Sequence, residues 1–417
     1  MCAFAALLPV HHAHAQVDTL RVMHYNVMNY GNNAVGCNAT TNGLEKKDTL
    51  IRRIVQYAQP DIISFNEVNR ATILQDRLLQ RSLNVGGVTS YVKAPVSNII
   101  VSSLVNGFFY NSTKLGLKSH RGIAAAIRDL DHYRLYVLPQ PGETDTVFLN
   151  VIVAHLKAAN TTADQNDRAA QVRSLNNYLR TQDTSEAYIF QGDFNVYRST
   201  ELAYLRMVRP DSGGHFRDPL NRPGAWSANA SFADVHTQSP YNGPSGQCFA
   251  AGGMDDRFDQ QLVNRPLLDP TRRLLYNPAA FRPIGQDGRH FNQAVNQGTN
   301  NSAPPLVISA ILNNSDHLPI LGKLAYRRLT GVRQATATAL RAYTAQGKLY
   351  VSGMPAGGTA AFYGITGTLL GQVPLADGQP AALPAGIVPG SVLLVRLLPE
   401  GGAQQPAQLR IVAPLQP

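Results

Sequence analysis

The strongest constraint on the fold is a recurring pattern in which a short apolar run ends in acid, amide or imidazole side chains. Alternating, β-rich runs predict strands at 19–27, 61–68, 147–155 and 187–195. Between them, apolar residues recur at helical spacing over 44–58 and 165–180. Strands of this antiparallel character, mixed with amphipathic helices, predict an α/β sandwich rather than an all-parallel sheet.

The composition is that of a globular chain in two parts. Of the 417 residues, 44% are hydrophobic and only 15% are charged, which argues against a disordered or coiled-coil protein. From about Thr330 the charge falls, Ala, Gly, Leu and Pro rise, and short strands alternate with turns. We therefore expect one large domain at 19–327 and a small β domain at 330–417.

The formal charge of +10 is unevenly spread. Residues 327–417 hold seven basic and two acidic side chains, a net of +5, which leaves 30 basic against 25 acidic before them, also +5. A cationic surface favours polyanionic partners through counterion release. Solubility alone is the other explanation for this charge.

The first residues resemble the end of a secretory signal peptide at 1–15. An apolar stretch over 3–10 precedes Ala13-His14-Ala15, an A-x-A cleavage site before Gln16. A buried N-terminal strand is the alternative. No later run reaches the roughly 18 apolar residues of a membrane span, so no stable membrane insertion is expected.

Cleavage of a signal peptide would remove Cys2 and leave two cysteines, Cys37 and Cys248. In an exported chain this pair could form one disulfide. The sequence does not decide whether the two residues meet.

Five of the predicted strand ends carry polar clusters, and these are the candidate site. The clusters hold Asn26, Glu67, His155, Asp193 with Asn195, and Asp316 with His317. Each alone is more often structural, as a turn cap or a surface ion pair. Their joint occurrence at strand ends, with no equally rich cluster elsewhere in the sequence, predicts a single catalytic site.

In order along the chain, the segments HYN, FNEV, HLK, GDFN and SDH resemble the endonuclease/exonuclease/phosphatase superfamily. The resemblance covers residues 20–326 and implies a four-layer α/β/β/α sandwich, with the site where strand ends of two sheets meet. The Arg257–Asp259 segment resembles the family's Arg-x-Asp strand, whose acid orients the final histidine.

The resemblance implies a divalent cation held by Glu67 with help from Asn26 and Asp316. Hard oxygen ligands of this kind suit Mg²⁺, with Mn²⁺ or Ca²⁺ as alternatives. Hydrolysis of a phosphodiester needs charge neutralisation on the non-bridging oxygens, an in-line water and help for the leaving oxygen.

The remaining roles follow from the same resemblance. Asp193, held with Asn195, would orient and deprotonate the water. His317, paired with Asp259, and His155 would donate hydrogen bonds to the phosphate or protonate the leaving group, which suits imidazole near neutral pH.

Two further residues are predicted to contact the substrate. Tyr110 lies where the family often carries such a residue, although a core aromatic is the alternative. Arg257, in the Arg-x-Asp segment, is the second.

The C-terminal region resembles the sorting domain of proteins exported by the type IX system of Bacteroidetes, through its short strands and a Leu-Pro-Ala-Gly turn. It lacks the usual Pro-Asn-Pro opening, and a carbohydrate- or surface-binding β module is the alternative. The sequence thus predicts a secreted or cell-surface bacterial protein, a monomer that contacts the export machinery through this region.

The leading functional prediction is an exported nuclease that hydrolyses DNA or RNA. HLK at His155 resembles the deoxyribonuclease, sphingomyelinase and inositol-phosphatase side of the family rather than its abasic-site repair enzymes. A sphingomyelinase-type phospholipase or an inositol or lipid phosphatase is the second. The lone Trp226 sits in a polar loop, so no aromatic membrane-contact hairpin is evident. A non-catalytic binding protein on the same fold is the third.

Overall fold

The computed structural model describes residues 17–34, 36–140, 143, 145–244, 248–328, 341–345, 348–352, 357–376, 379–388, 391–399 and 407–412. The chain divides into two compact units, residues 1–330 and 331–417. The predicted signal peptide lies outside the described residues. Among the described residues, no helix has the length and apolar character needed to cross a membrane.

The first unit contains two mixed sheets and five α-helices within its described residues. Its strands are β1 (Val17–Tyr30), β2 (Ile62–Asn69), β3 (Tyr91–Lys93), β4 (Leu104–Asn111), β5 (Leu115–Ile123), β6 (Leu130–Val137), β7 (Phe148–His155), β8 (Ala187–Asp193), β9 (Phe216–Arg217), β10 (Asp259–Asn264), β11 (Leu274–Tyr276), β12 (Arg282–Pro283) and β13 (Ile320–Arg327). Its helices are α1 (Leu44–Ala58), α2 (Thr72–Leu78), α3 (Thr162–Leu179), α4 (Leu202–Val208) and α5 (Pro305–Asn314).

The two sheets have similar designs. The first runs β11-β13-β1-β2-β4-β3, with β12 also on β13, and the second runs β5-β6-β7-β8-β10-β9. Each has one parallel pair in its centre, β1 with β2 and β7 with β8, and antiparallel pairs elsewhere. In both sheets the parallel pair therefore brings two strand ends to one edge.

Four layers result from the packing of apolar faces. The inner faces of the two sheets meet in one core, where the rings of Phe108 and Tyr133 stack with centroids 3.9 Å apart. Helices α1 and α5 cover the outer face of the first sheet, and α3 and α4 cover that of the second. The predicted α/β/β/α sandwich is confirmed.

Local sequence explains the limits of the helices near the site. The predicted stripe of α1 buries Ile51 and Ile54, and Gln59 ends the helix in a left-handed conformation with φ of 47° before Pro60. Helix α3 begins at a capping box, in which Thr161 and Asp164 satisfy each other's backbone N–H groups.

The second unit is all-β over its described residues. One sheet joins β14 (Arg341–Ala345), β15 (Lys348–Ser352) and β18 (Pro380–Ala382), and the other has the order β17 (Leu369–Leu375), β16 (Gly358–Tyr363), β19 (Val392–Pro399) and β20 (Ala407–Val412). Phe362, Val395 and Leu397 form part of its own small core.

Candidate active site

The strand register explains how distant segments meet. Asn26 of β1 pairs with Asn66 of β2, and His155 of β7 pairs with Asp193 of β8. The antiparallel β10 begins opposite this point, with Asp259 beside Asp193. Because carboxyl ends of parallel strands and the amino end of an antiparallel neighbour share one edge, the predicted clusters converge there.

Asp193 lies at the centre of the site. Its Oδ2 accepts a hydrogen bond from Asn26 Nδ2 at 3.0 Å, and its Oδ1 accepts one from the Asn195 backbone N–H at 3.1 Å. His155 Nε2 and His317 Nε2 lie 3.5 Å and 3.7 Å from the same Oδ2. Four of the predicted residues are thus brought together around one carboxylate.

His317 is held from behind by Asp259. Its Nδ1 lies 2.7 Å from Asp259 Oδ2, and both side chains are buried. Burial opposes charge on the His317 ring, but the nearby Asp259 and Asp193 carboxylates outweigh it and raise the His317 pKa well above its ordinary value. The imidazole is therefore the proton carrier of this pair at neutral pH.

The other titratable groups are shifted mainly by burial. Burial raises the pKa of Asp193 to about 7 and lowers the pKa of His155 well below its ordinary value. Since the carboxylates of Asp259, Asp193 and Asp316 all favour charge on His317, the shared proton belongs on that imidazole and Asp193 is ionised. His155 is neutral.

Glu67 is fixed at both carboxylate oxygens. Its Oε1 accepts from Asn26 Nδ2 at 3.1 Å, and its Oε2 accepts from the Asn29 backbone N–H at 2.9 Å. Glu67 has φ of 62°, and Asn29 and Asn195 have φ of 49° and 51°. Non-glycine residues in this left-handed conformation cluster at functional sites, where the surrounding structure holds the backbone in place.

Asp316 has one free oxygen within the described residues. Its Oδ2 accepts from the Ala250 backbone N–H at 2.9 Å, whereas Oδ1 is buried with no hydrogen-bond partner there. Burial, reinforced by the charge of Glu67, raises the Asp316 pKa. A bound cation would compensate both effects, so the donor set of Glu67, Asp316 and Asn26 fits a hard divalent ion.

The set contains two carboxylates and one amide. In the described part of the chain, no three His, Cys, Asp or Glu side chains are grouped so that they could hold a metal ion. A hard divalent cation that keeps several of its waters can be held by only one or two carboxylates, so a set of this size suits a partly hydrated ion.

The segment that carries Asp316 is linked directly to β1, which carries Asn26. Ser315 Oγ, next to Asp316, donates to the Asn26 backbone carbonyl at 2.7 Å across 289 residues of sequence. The backbone of Gly192, before Asp193, also passes so close to β7 that a Cβ there would lie 1.9 Å from the Ala154 carbonyl oxygen. Only glycine fits at this point of the GDFN segment.

The two predicted substrate contacts are corrected by the structure. Tyr110 lies in the core between the sheets and pairs with Ile62, at the far end of β2 from the site. Arg257 is 1% exposed and donates to both oxygens of Asp218, at 2.8 Å and 3.0 Å, with Trp226 over its guanidinium. A buried charge that is already paired has a structural role.

Four residues that the sequence analysis missed lie at the site. Arg128 donates to the backbone carbonyls of His155 and Leu156 and lines a polar pocket with Glu67 and His155. The Gln238 side-chain amide lies 2.8 Å from His317 Nε2. His24 and Lys47 are the other two.

Lys47 and His24 are fully buried; His24 is the first residue of the HYN segment, whereas Lys47 belongs to none of the five segments. Lys47 Nζ donates to the Asn314 carbonyl at 2.5 Å, and burial lowers its pKa to about 7. Burial lowers the pKa of His24 to about 4. A polar residue within the mostly apolar run of β1 was the only sequence signal for His24, and Lys47, in the charged stretch 45–48, gave none.

Cys37 and Cys248 form a disulfide, which decides the alternative that the sequence left open. Met28 and Phe249 pack on it. The bridge therefore joins the segment after β1 to the segment that carries Ala250.

No family model matches the chain, and no curated protein matches it. Solved structures that are similar to it include the following three. D. rerio TDP2 complexed with single strand DNA product shares 13% identity over 73% of this chain and 98% of that chain, with a TM-score of 0.45. An endonuclease/exonuclease/phosphatase family protein from Bacteroides thetaiotaomicron shares 14% over 75% and 97%, with a TM-score of 0.44.

The human Nocturnin catalytic domain with bound sulfate anion shares 17% identity over 75% of this chain and 97% of that chain, with a TM-score of 0.44. Likenesses at this level do not define what this chain acts on. The fold and the side-chain geometry define it instead as an α/β/β/α sandwich with acid and imidazole side chains grouped where the strand ends meet.

Proposed function

We propose that the first unit is a divalent-metal-dependent phosphodiesterase of the endonuclease/exonuclease/phosphatase superfamily that hydrolyses DNA or RNA. The observation that carries the proposal is the convergence on Asp193 Oδ2 of Asn26, His155 and His317, at 3.0, 3.5 and 3.7 Å. One carboxylate flanked by two imidazoles and one amide supplies both a base and donors for an anionic group.

We assign each residue of the site a role from its charge and its position. A divalent cation held by Glu67, Asn26 and Asp316 would neutralise charge on the phosphate oxygens. Asp193, ionised and oriented by Asn26, accepts the proton of the attacking water. His317 carries the proton that its carboxylate partners stabilise, and the neutral His155 donates a hydrogen bond to a phosphate oxygen.

The surroundings of the site support an anionic polymer as substrate. The pocket beside Glu67 and His155 includes Arg128, Asn98 and Ser102, and these side chains are donors suited to phosphate and sugar oxygens. Trp226 is fully buried, so it provides no membrane contact.

One feature favours a phospholipase as the second candidate. On the segment that lines the same pocket, Ile99 and Val101 are 57% and 79% exposed. Asp129 accepts from the backbone N–H groups of Ile99 and Ile100, which fixes the segment. Exposed aliphatic side chains beside a phosphodiesterase site would suit a lipid surface.

The decisive experiment compares substrates and metals on one preparation. Chelator-treated protein receives Mg²⁺, Mn²⁺ or Ca²⁺ and is offered plasmid DNA, RNA, a chromogenic phosphodiester and sphingomyelin vesicles. Metal-dependent cleavage of nucleic acid supports the proposal, and cleavage of vesicles alone supports the second candidate. No hydrolysis of any of them with any metal would contradict both.

We also propose that the chain is exported and matures at Gln16, and that the second unit serves in sorting. The Cys37–Cys248 disulfide supports this, because disulfides persist in oxidising compartments. Amino-terminal sequencing of protein from culture supernatant tests the cleavage site. Retention of residues 1–15 in the mature protein would contradict it.

A further inference from the structure

Next to the pair of His317 and Asp259 lies a third titratable side chain, that of His24 on β1. Its Nε2 faces Asp259 Oδ1 at 3.6 Å, while Asp259 Oδ2 contacts His317 Nδ1 at 2.7 Å. Within the described residues, neither His24 Nε2 nor Asp259 Oδ1 has a hydrogen-bond partner, although both are buried. Asp259 is thus placed between two imidazoles, one at each carboxylate oxygen.

The direction of a buried hydrogen-bond chain fixes which nitrogen of His24 carries the proton. Gln261 Nε2 donates to the Val22 carbonyl, which can only accept, and also to Gln191 Oε1 at 2.8 Å. Gln191 must then present its Nε2 to Ser64 Oγ, at 2.8 Å. The hydroxyl proton of Ser64 is left for His24 Nδ1, also at 2.8 Å, which places the ring proton on Nε2.

The Nε2–H group of His24 is thus directed towards Asp259 Oδ1, which has no hydrogen-bond partner within the described residues. A separation of 3.6 Å is longer than a hydrogen bond, but neither atom has another partner among the residues that the structure describes, and a small side-chain movement would join them. An unsatisfied buried carboxylate oxygen is costly, so the contact favours the orientation of Asp259 in which its other oxygen is aimed at His317.

We propose that His24 is a positioning residue for this reaction, which acts through Asp259 to hold His317 in its working orientation. The inference rests on the proposed phosphodiesterase activity for its kinetic consequence. Its structural core, a His24–Asp259–His317 unit with a defined proton on each ring, does not depend on any substrate.

The first test is spectroscopic and uses the unaltered protein. Nitrogen-15 NMR of histidine-labelled protein should show His24 neutral, with its proton on Nε2, and a far-downfield proton for His317 Nδ1–H. His317→Gln assigns the second signal by its loss. The opposite tautomer at His24 would overturn the proposal, whether or not the protein proves to be a hydrolase.

The second test separates a directed hydrogen bond from mere packing. His24→Gln keeps a donor near the Nε2 position, whereas His24→Phe fills the space without one. We expect near-normal kcat for the glutamine variant and a loss of roughly 10-fold to 100-fold in kcat, with unchanged KM, for the phenylalanine variant. The His317 Nδ1–H signal should move upfield or disappear in the phenylalanine variant alone.

A double mutant tests whether His24 acts through Asp259. If His24 acts through Asp259, then His24→Phe should cost nothing further in an Asp259→Asn background. Equal kcat for His24→Phe and the unaltered protein, or full additivity with Asp259→Asn, would overturn the proposal. Circular dichroism shows whether each variant is folded.

Discussion

The disulfide between Cys37 and Cys248 joins two backbone segments, one of which donates an N–H group to Glu67 and the other to Asp316. Asn29, eight residues before Cys37, donates its backbone N–H to Glu67 at 2.9 Å. Ala250, two residues after Cys248, donates its own to Asp316, also at 2.9 Å. The bridge thus stands behind both carboxylates proposed to bind the metal.

Replacing both cysteines by serine should therefore weaken metal binding as well as stability. A bridge across 211 residues contributes about 2 to 5 kcal/mol by restricting the unfolded chain. Urea unfolding measures the loss of stability, and Mn²⁺ titration of the folded variant measures affinity. Unchanged Mn²⁺ affinity in a folded variant would show that the bridge does not position the carboxylates.

Glu67→Gln and Asp193→Asn should each abolish metal-dependent hydrolysis and leave the fold intact. Both changes keep the side-chain shape that Asn26 contacts and remove only the charge. Loss of a general base alone costs roughly 10²-fold to 10⁴-fold. Initial rates on a chromogenic diester give the effect, and Asp269→Asn, in the exposed turn before β11, is the matched control. More than about a tenth of the activity left in either variant would argue against its assigned role.

His155→Ala and His317→Ala should slow turnover strongly while Mn²⁺ affinity changes little. Both imidazoles lie beside Asp193, and His155 Nε2 is closer to Asp193 Oδ2, at 3.5 Å, than to Glu67 Oε1, at 3.9 Å. Isothermal titration with Mn²⁺ alongside single-turnover rates separates the two effects. Outright loss of metal binding in either variant would move that histidine into the coordination shell.

Acid should destabilise the first unit through His132, which lies away from the site. Burial lowers its pKa from 6.5 to about 4, and its two ring nitrogens contact Tyr178 and Asn150 at 2.8 Å. Since the unfolded chain binds this proton more readily, the stability is fully present above pH 6.5 and is lost as the pH falls towards 4.

The shift corresponds to about 3 kcal/mol for this residue. Urea midpoints at pH 7.5 and pH 5 measure the total effect, and His132→Gln should reduce the difference between them. The same difference in both proteins would show that another group is responsible.

Removal of the second unit should leave hydrolysis of a small diester unchanged, provided that the chain ends at Thr330. Arg327 and Arg328 belong to the first unit: Arg328 pairs with Asp18 and Glu143, and Arg327 donates to the Pro270 carbonyl. Ending at Tyr326 would remove these contacts.

Rates on plasmid DNA at low and high salt test the basic charge of the second unit. A loss on plasmid at low salt alone would assign it a role in nucleic-acid tethering. Loss of activity on the small diester would show that the first unit is not independent.

Sequence reasoning predicted the sandwich and the central site residues because each came from a local signal. The alternation of β1 and the helical stripe of α1 are visible in short windows, and so are the polar strand ends. The short apolar helix α5, which begins at Pro305 directly after Pro304, has no such periodic stripe and was missed.

The predictions that Tyr110 and Arg257 contact the substrate differ from the structure for another reason. Whether Arg257 faces solvent or Asp218 depends on a partner 39 residues away, which no local pattern encodes. The same holds for His24, whose partner Asp259 lies on the other sheet. Long-range pairing decides these roles, and only the assembled fold shows it.

The bond from Ser315 to the Asn26 carbonyl has a consequence for synthesis of the protein. The site needs both the first strand and a segment 289 residues later, so it does not exist until nearly the whole first unit has left the ribosome. A nascent chain shorter than this holds Asn26 and Glu67 without Asp316 or His317. If the protein cleaves nucleic acid, the producing cell is shielded from it during translation by the order in which the chain emerges.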